Sequence, residues 1–267
     1  MVVSIRLLGR RQFLTLALLL IGGRLAPAAG GVGERREAFQ VDVGLMYDFL
    51  RFHLDGTVRE RVDRAAGGYE VEIAGQGDGI ASRIECHGVL RGGRWAPLRM
   101  ATWVRVRGRD SRTEARYDHD AHSVDYQARG ETFLLRRLRT VEDRVAVPVG
   151  MRVDDAISAS LNYADGLWPS EADGTRRTHI VRRQRIRDEG PDDVAAVYRA
   201  ELVPLEVRTV VDPATGRESA LLDLTPFSSW ARETHPARVV FGRGRRPTMI
   251  TTSMILGTSL TVRLGGA

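Results

Sequence analysis

The sequence predicts a mainly β fold: one large curved antiparallel sheet, or half-barrel meander, with one short helix packed against it. Three observations lead to this prediction. Apolar and polar residues alternate over most of residues 39–147, as they do in strands that have one wet face. Short links rich in Gly and Asp separate the alternating stretches. One mid-chain segment, RVDDAISASLNYADGLW, abandons the alternation.

The first alternating stretch begins at Phe39, and its apolar positions change from odd to even numbers near residue 50. We interpret this change as a β-bulge inside one long strand, and we interpret Asp55-Gly56 as the hairpin turn that ends the strand. Shorter strands follow, with turns at 75–79 and 92–93. The later part of this region predicts strands near 111–117, 124–128 and 132–139.

The segment that interrupts the alternation has the features of a short helix. Asp154 or Asp155 can cap its N-terminus, and Gly166 can end it. Ile157 and Leu161 recur at helical spacing and form a single apolar stripe. A helix with one such stripe needs a sheet to pack against, which agrees with the strands on either side.

Strands resume after the helix. The pattern predicts strands over 178–187, 194–211 and 218–224, and three more in the closing segment PARVVFGRGRRPTMITTSMILGTSLTVRL. No internal repeat of constant period is present in the sequence. We therefore expect residues 29–267 to form a single β-rich domain with a loop break near 168–175.

Residues 1–28 are built like an export signal. Arginines that include Arg10 and Arg11 precede an apolar run, and Ala26 and Ala28 supply the small residues that a signal peptidase needs. As a helix the apolar run would span roughly 14 Å, against a hydrocarbon core of about 30 Å. We therefore expect cleavage after this segment and no transmembrane anchor.

The letters RRQFL resemble the twin-arginine export motif, with Arg10 and Arg11 as the pair and Phe13 and Leu14 as the apolar positions. Gly9 stands where the motif usually has Ser or Thr. Proteins on this route cross the membrane already folded, and the general secretory route stays open as the alternative. Either route predicts a periplasmic protein that is soluble after cleavage, with the export machinery and signal peptidase as partners.

The charge balance argues against a nucleic-acid partner. All 40 basic residues are arginine. Residues 1–28 hold four of them and no acidic residue, so the formal net charge falls from +6 to +2 without that segment. A nucleic-acid-binding face needs a strong basic excess, which the remaining chain lacks. Cys86 is the single cysteine, so no disulfide can form within this sequence.

The densest group of candidate ligands lies in YDHDAHSVDY, where Asp118, His119, Asp120, His122 and Asp125 offer carboxylates and imidazoles to a cation. Strand alternation would place His119 on the face opposite its two neighbours, and Asp is common in turns, so we predict a turn and no metal site. No nucleophile elbow or phosphate loop is present, so we predict no catalytic residue and no cofactor.

A basic segment near the end of the sequence, FGRGRRP, allows two interpretations. Its glycines favour a turn between strands. Alternatively, Arg243, Arg245 and Arg246 attract anionic lipid head groups.

The order of these segments resembles an exported bacterial family, domain of unknown function 3108. Three segments carry the resemblance: LMYDFLRFHLDGTVRERV, the predicted helix start from Asp155 to Ala159, and RRPTMITTSMILGTSLTVRL. Such proteins are also similar to periplasmic lipoprotein carriers, in which a curved sheet wraps around a helix with an apolar cavity between them. The resemblance implies a binding or envelope-assembly role and supplies no catalytic residues.

Three functions remain open on this evidence. The first is a periplasmic β-shell that binds or carries an apolar ligand, such as a lipid or a lipid-modified protein. The second is an envelope protein that docks a partner through its sheet, and the third is an enzyme. A cavity lined by Met46, Trp103, Ile157 and Leu161 would favour the first. Buried, unpaired carboxylates or histidines would favour the third.

Overall fold

The computed structural model describes residues 32–45, 47, 49–132, 135–186, 189–190, 192–211, 216, 218–228, 231–242 and 245–265. The export signal lies outside these residues, and so its cleavage and its route stay predictions. The individual predictions that fall outside are those on Arg10, Arg11, Phe13, Leu14, Ala26, Ala28 and Met46.

The described residues form fourteen strands, one α-helix and one 3-10 turn. The strands are β1 (Val32–Leu45), β2 (Leu50–Asp63), β3 (Gly68–Gly77), β4 (Ile80–Arg91), β5 (Arg94–Val106), β6 (Arg109–Asp118), β7 (Ser123–Glu131), β8 (Leu138–Ala146), β9 (Thr175–Arg183), β10 (Ala200–Val211), β11 (Glu218–Leu222), β12 (Ala237–Phe241), β13 (Pro247–Ser253) and β14 (Ser259–Leu264). The helix α1 spans Ala156–Ala164, and the 3-10 turn spans Ile255–Gly257.

All fourteen strands belong to one antiparallel sheet that is nearly closed as a barrel. The strand order is β8-β7-β6-β5-β4-β3-β2-β1-β14-β13-β12-β11-β10-β9, so β8 and β9 are the two edges. The helix packs against this sheet, and the predicted fold class is confirmed. No helix within the described part of the chain combines the length and apolar character needed to cross a bilayer.

The alternation in the sequence becomes the inner and outer faces of the sheet. On β1, Phe39, Val41 and Val43 are buried, while Gln40 between them is exposed. Inward side chains from both halves of the sheet join one core, and burying each large aliphatic side chain contributes about 1.5–3 kcal/mol. This core is what holds the two halves together.

The start of the sheet differs from our prediction. In the structure β1 and β2 form a hairpin in which Leu45 pairs with Leu50, and Asp55-Gly56 lies in the middle of β2. Cross-strand partners share a face, and Val43 pairs with Phe52, so odd positions of β1 face inward together with even positions of β2. The change from odd to even that we interpreted as a bulge is therefore the mark of a second, paired strand.

Gly56 is in the strand because a side chain does not fit there. A Cβ at Gly56 would lie 2.2 Å from the ring of Phe39 and 2.4 Å from the carbonyl oxygen of Ala74. Gly75 pairs with Gly56 on the neighbouring strand, and a Cβ at Gly75 would lie 3.1 Å from the same ring. The two glycines therefore make room for the buried Phe39 ring, which is a packing role and not a turn.

Two further strand boundaries were wrong in the prediction. The stretch 132–137 connects β7 to β8, and Thr132 N–H donates to the carbonyl of Arg137 at 2.7 Å to close it. β10 begins at Ala200 and not at 194, because the preceding residues bond to a side chain: Ala195 N–H donates to the Tyr198 hydroxyl at 3.0 Å.

The helix begins and ends where the sequence predicts. Asp155 is the N-cap: its carboxylate accepts from Ser158 N–H at 2.6 Å, and Ser158 Oγ accepts from Asp155 N–H at 3.0 Å. This reciprocal pair is a capping box. Gly166 follows with a φ of 71°, in the left-handed region that favours glycine after a helix. Ile157 and Leu161 of the predicted stripe are fully buried.

The shell has two different ends. The helix end holds α1 and the β2–β3, β4–β5 and β6–β7 connections, and the hairpin end holds the β1–β2, β3–β4, β5–β6 and β7–β8 connections. At the seam, edge strands β8 and β9 meet residues 184–199. There Asp143 of β8 accepts from Ala200 N–H at 2.8 Å and pairs with Arg199 at 3.2 Å.

Candidate functional site

Polar bonds fasten α1 to the helix end of the shell. Asn162 Nδ2 donates to the carbonyl of Trp95, and Trp95 N–H donates to Asn162 Oδ1, both at 2.8 Å. Asp165 accepts two bonds from the Arg64 guanidinium at 2.8 and 2.9 Å and one from Trp95 Nε1 at 2.9 Å. The helix is thus bonded both to β5 and to the β2–β3 connection.

Two fully buried carboxylates lie at the start of α1. Asp154 accepts from Arg94 at 2.5 Å, from Thr178 at 2.5 Å and from Ser158 Oγ at 3.0 Å. Burial raises the pKa of Asp154, although Arg94 opposes the shift. Burial also raises the pKa of Asp155, to about 6.

These carboxylates do not meet the criterion that we set for an enzyme. Asp154 and Asp155 are buried, but each is hydrogen-bonded, and their partners explain them as the cap and the anchor of α1. Burial raises the pKa of the neighbouring Cys86 thiol well above its usual value, and the Asp155 charge adds to the shift. A thiol held in its protonated form is a weak nucleophile.

The four predicted cavity residues do not come together in the structure. Ile157 and Leu161 are packed in the core beneath the sheet, and Met46 lies outside the described residues. Trp103 lies on the outer face of β5, because the residues on either side of it, Thr102 and Val104, face inward and are buried. The alternation already grouped Trp103 with the arginines of that strand.

On the outer face Trp103 lines a groove of about 550 Å³ that crosses β4 to β8. Arg83 and Arg112 are its cross-strand neighbours in this groove, and the Arg105 guanidinium carbon lies 5.1 Å from the Trp103 ring centroid. Glu114 in the same groove accepts bonds from Arg99 and Arg116, each at 2.8 Å. The groove is a largely charge-paired outer surface.

The segment YDHDAHSVDY is a turn, as predicted. Asp118 accepts from the N–H groups of Asp120 and Ala121, at 3.1 and 2.8 Å, between β6 and β7. Asp120 pairs with Arg91 at 2.6 Å, and Asp125 pairs with Arg144 at 2.5 Å. Within the described ranges, no three His, Cys, Asp or Glu residues are grouped so that they could hold a metal ion.

The structure disagrees with the lipid-contact interpretation of FGRGRRP. Arg246 is buried and lies 3.9 Å from the buried Glu60, so it cannot reach a head group at the surface. Arg245 lies 3.5 Å from Glu218. Arg243 is outside the described residues.

Thirteen large apolar side chains of the described residues are exposed, and eight of them lie at the hairpin end, in two groups. The seam patch consists of Leu135, Leu138, Ile186, Val194 and Val197, of which Leu135 and Val197 are 61% and 63% exposed. The tip patch, at the β1–β2 hairpin, consists of Tyr47, Phe49 and Leu50, with Tyr47 86% and Phe49 81% exposed. Exposed apolar groups of this kind mark contact or binding surfaces.

Hydrogen bonds tie the seam patch into one structure. Leu135 N–H donates to Asp192 Oδ1 at 2.6 Å, which joins the β7–β8 connection to the segment before β10. Arg139, next to Leu138, donates to the carbonyls of Gly190 and Asp193 at 2.9 and 2.6 Å. The apolar residues of the patch are therefore carried by segments that bond directly to one another.

An arginine cluster borders the seam patch. It consists of Arg139, Arg182, Arg183 and Arg185, with Glu189 and Glu201 as the carboxylates among them. Glu189 accepts from Arg183 at 2.8 and 3.1 Å and from the Tyr198 hydroxyl at 2.7 Å. Burial acts to raise the pKa of Glu189, but these bonds outweigh it and the pKa is lowered.

The sequence pattern did not predict this arginine cluster. Arg182 lies on the same face of β9 as Thr178 and Ile180, which are both buried. A charged residue that continues the apolar face of an amphipathic strand is the one signal that the sequence offers for it. The contacts with β8 join residues more than 40 positions apart, and they leave no local pattern.

Two solved structures are similar to this chain over most of its length. One is a β-barrel-like protein of domain of unknown function 1849 from Brucella abortus, with a TM-score of 0.34, 10% identity and coverage of 86% of this chain and 95% of that chain. The other is a putative outer membrane lipoprotein-sorting protein domain from Vibrio parahaemolyticus, with a TM-score of 0.25, 9% identity and coverage of 86% and 83%.

No family model and no curated protein matches the chain. The resemblance to domain of unknown function 3108 therefore stays a prediction. The two structural similarities are too distant to bear on function, which has to be argued from the two ends of the shell.

Proposed function

We propose that this protein is a periplasmic binding protein that holds or carries an apolar ligand, a lipid or the acyl chain of a lipid-modified protein, at the hairpin end of its β-shell. The role is binding without catalysis. The observation that carries the proposal is the seam patch: five large apolar side chains are exposed on segments that hydrogen-bond to one another, at the end of the shell that α1 does not occupy.

Apolar surface in contact with water has an unfavourable free energy of hydration. Each square ångström of apolar surface removed from water contributes about 25 cal/mol, so covering several large side chains gives a useful binding energy. The buried Ile157 and Leu161 fill the space beneath α1, which supports binding at the hairpin end over binding under the helix.

The test is native mass spectrometry of the mature protein, purified gently from periplasm without detergent. We expect a lipid-sized adduct, and we expect the variant Leu135→Asp/Val197→Asp to lose it. Val149→Asp is the matched control, because Val149 is 87% exposed but lies after β8, toward the helix end. A clean apo mass from several preparations of the unaltered protein would overturn the proposal.

Export is the second part of the proposal, and it rests on residues 1–28. We propose the twin-arginine route, with the general secretory route as the alternative. Changing Arg10 and Arg11 to Lys should leave the precursor in the cytoplasm, as followed by fractionation and immunoblotting. Unchanged export of this variant would refute the twin-arginine route while leaving ligand binding untouched.

The tip patch favours a second candidate, docking of an envelope partner. Tyr47 has a φ of 56°, a costly backbone conformation for a bulky residue. It is held there by a hydrogen bond from its N–H to the Gly257 carbonyl at 3.1 Å, and a Cβ at Gly257 would lie 2.5 Å from the Tyr47 ring. This bracing fixes one aromatic side chain of an exposed tip.

A photo-crosslinking amino acid at position 49 tests the docking function in intact cells. A discrete protein adduct that disappears in the variant Tyr47→Ser would support docking through the tip. Crosslinks to lipid alone, or none, would remove this candidate.

A further inference from the structure

The arginine cluster at the seam has more donors than its carboxylates can occupy. Glu189 is engaged by Arg183, Arg139 and Tyr198, and Glu201 accepts from Arg182 Nη2 at 2.5 Å. Arg185 has neither a hydrogen bond nor an ion pair with the residues that the structure describes, and its relation to Glu201 is only a longer-range attraction.

Two buried nitrogens mark where an acceptor belongs. Arg182 Nε and Arg185 Nη2 are both inaccessible to solvent, and neither has an acceptor in the described ranges of the chain. A buried N–H without an acceptor is costly, and in native proteins such groups call for an explanation. A planar guanidinium presents its donors in the geometry that a carboxylate or phosphate accepts.

The two guanidiniums also lie close enough to affect each other. Burial lowers the pKa of Arg185, and the positive charge of Arg182 lowers it further. Burial likewise lowers the pKa of Arg182. Two half-buried cations that repel each other are stabilised by a negative charge that reaches both.

Residues of the seam patch lie on segments that carry or bond to members of the arginine cluster. Ile186 of the seam patch follows Arg185 in sequence. Arg139, which pairs with Glu189 at 3.4 Å, bonds to the segment that carries Val194 and Val197. A small inorganic anion would contact only the arginines, and an uncharged apolar ligand would contact only the seam patch.

We propose that the ligand of the shell is an anionic amphiphile, whose single carboxylate or phosphate head is held by Arg182 and Arg185 while its apolar chain lies on the seam patch. This proposal rests on the proposed function and narrows it, since it names the chemistry of the ligand. Fatty acids and phosphate-headed lipids share this chemistry, and the experiment separates them.

The test is isothermal titration calorimetry of the mature chain with four probes: laurate and dodecyl phosphate below their critical micelle concentrations, dodecanol below its solubility limit, and inorganic phosphate. We expect at least one of the two anionic amphiphiles to bind about tenfold to a hundredfold more tightly than dodecanol and than phosphate alone, as charge-assisted hydrogen bonds predict. Whichever of laurate and dodecyl phosphate binds more tightly identifies the head group.

The variant Arg185→Gln should reduce the advantage of the anionic probes over dodecanol to within a factor of about two, with Arg185→Lys intermediate. Arg208→Gln is the matched control, because Arg208 is exposed on β10 away from the cluster, and it should bind as the unaltered chain does. A thermal melt of each variant checks folding. Arg185 makes no hydrogen bond or ion pair with the residues that the structure describes, so we expect Arg185→Gln to fold.

The failures can be told apart. Dodecanol binding as tight as that of laurate and dodecyl phosphate, with no effect of Arg185→Gln, would contradict the proposed anionic head group. The proposed binding of an apolar ligand would then still be supported. If phosphate alone binds as tightly as dodecyl phosphate, the amphiphile is wrong. If no chain-bearing probe binds at all, the proposed function falls together with this inference.

Discussion

The two ends of the shell use charged residues in opposite ways. At the helix end, Asp154 and Asp165 are surrounded by donors, and their bonds fix α1 to the sheet. At the hairpin end, Arg182 and Arg185 keep buried donors without acceptors among the described residues, beside apolar side chains that face water. The comparison distinguishes carboxylates whose bonds stabilise the fold from a pair of neighbouring arginines whose buried donors have no acceptor among the described residues.

The sharpest test of this contrast is to remove the largest anchor of the helix end. Trp95→Ala should lower the free energy of unfolding by about 3–5 kcal/mol, because the Trp95 side chain is fully buried and also donates to Asp165. Urea denaturation followed by circular dichroism measures it. Trp103→Ala, on the outer face of the same strand, is the control and should cost about 1 kcal/mol or less. Equal losses would contradict our assignment of the two faces.

The next largest effect is a dependence on pH. The pKa of Asp155 is about 6 in the folded protein and near 4 in the unfolded chain, so folding favours its protonated form. Its stabilising contribution is complete below about pH 4 and is lost as the pH rises through about 6. Asp155→Asn keeps a capping oxygen and carries no charge.

Relative to Asp155→Asn, the unaltered protein should therefore lose about 2–3 kcal/mol of unfolding free energy between pH 4 and pH 7. Urea denaturation of both proteins at four pH values gives this difference, which includes the coupling between Asp155 and the neighbouring Asp154. Parallel profiles would show that the Asp155 carboxylate is not desolvated at the helix end.

A smaller effect tests the clamp between α1 and the β2–β3 connection. Arg64→Ala removes two bonds to Asp165 and should cost about 1–2 kcal/mol, since the pair is half-buried. The comparison variant is Arg144→Ala, whose bonds to Asp125 are exposed to solvent and should contribute less than the Arg64–Asp165 pair. A larger loss at Arg144 than at Arg64 would mean that the clamp is not what holds the helix.

The smallest expected effect lies at the hairpin end. Val197→Ser and Leu135→Ser should each change the free energy of unfolding by no more than about 0.5 kcal/mol, because these side chains are 63% and 61% exposed. The same variants should weaken ligand binding, so stability and binding separate at this end. A loss of several kcal/mol would show that the seam patch is part of the core.

The fold was largely predictable because its signals are local. Alternation places Phe39, Val41 and Val43 on one face. The two ends of α1 are marked by residues that directly flank it, Asp155 and Gly166. The predicted position of the first hairpin was wrong for a physical reason. A hairpin between two strands and a bulge within one strand both change the apolar positions from odd to even, so the sequence pattern does not separate them.

The candidate site was not predictable in the same way. We predicted that Trp103 lines an apolar cavity, although its alternation with Val104 puts it on the outer face. The pairing of β9 with β10 brings Arg185 and Glu201 near each other. Arg139 joins them because it lies on β8, the opposite edge of the sheet, which comes back beside β9 as the sheet nearly closes. Closure of a fourteen-strand sheet is a property of the whole chain, and no window of sequence contains it.

The position of β1 has a consequence for how the molecule assembles. Although β1 is the first described strand, it lies inside the sheet between β2 and β14, and Phe39 pairs with Leu264. Until residues 259–264 have left the ribosome, the nascent chain holds a long unpaired strand edge that invites wrong partners. The pairing of β1 with β14 must therefore wait until residues 259–264 have been synthesised, and pairings this distant form slowly.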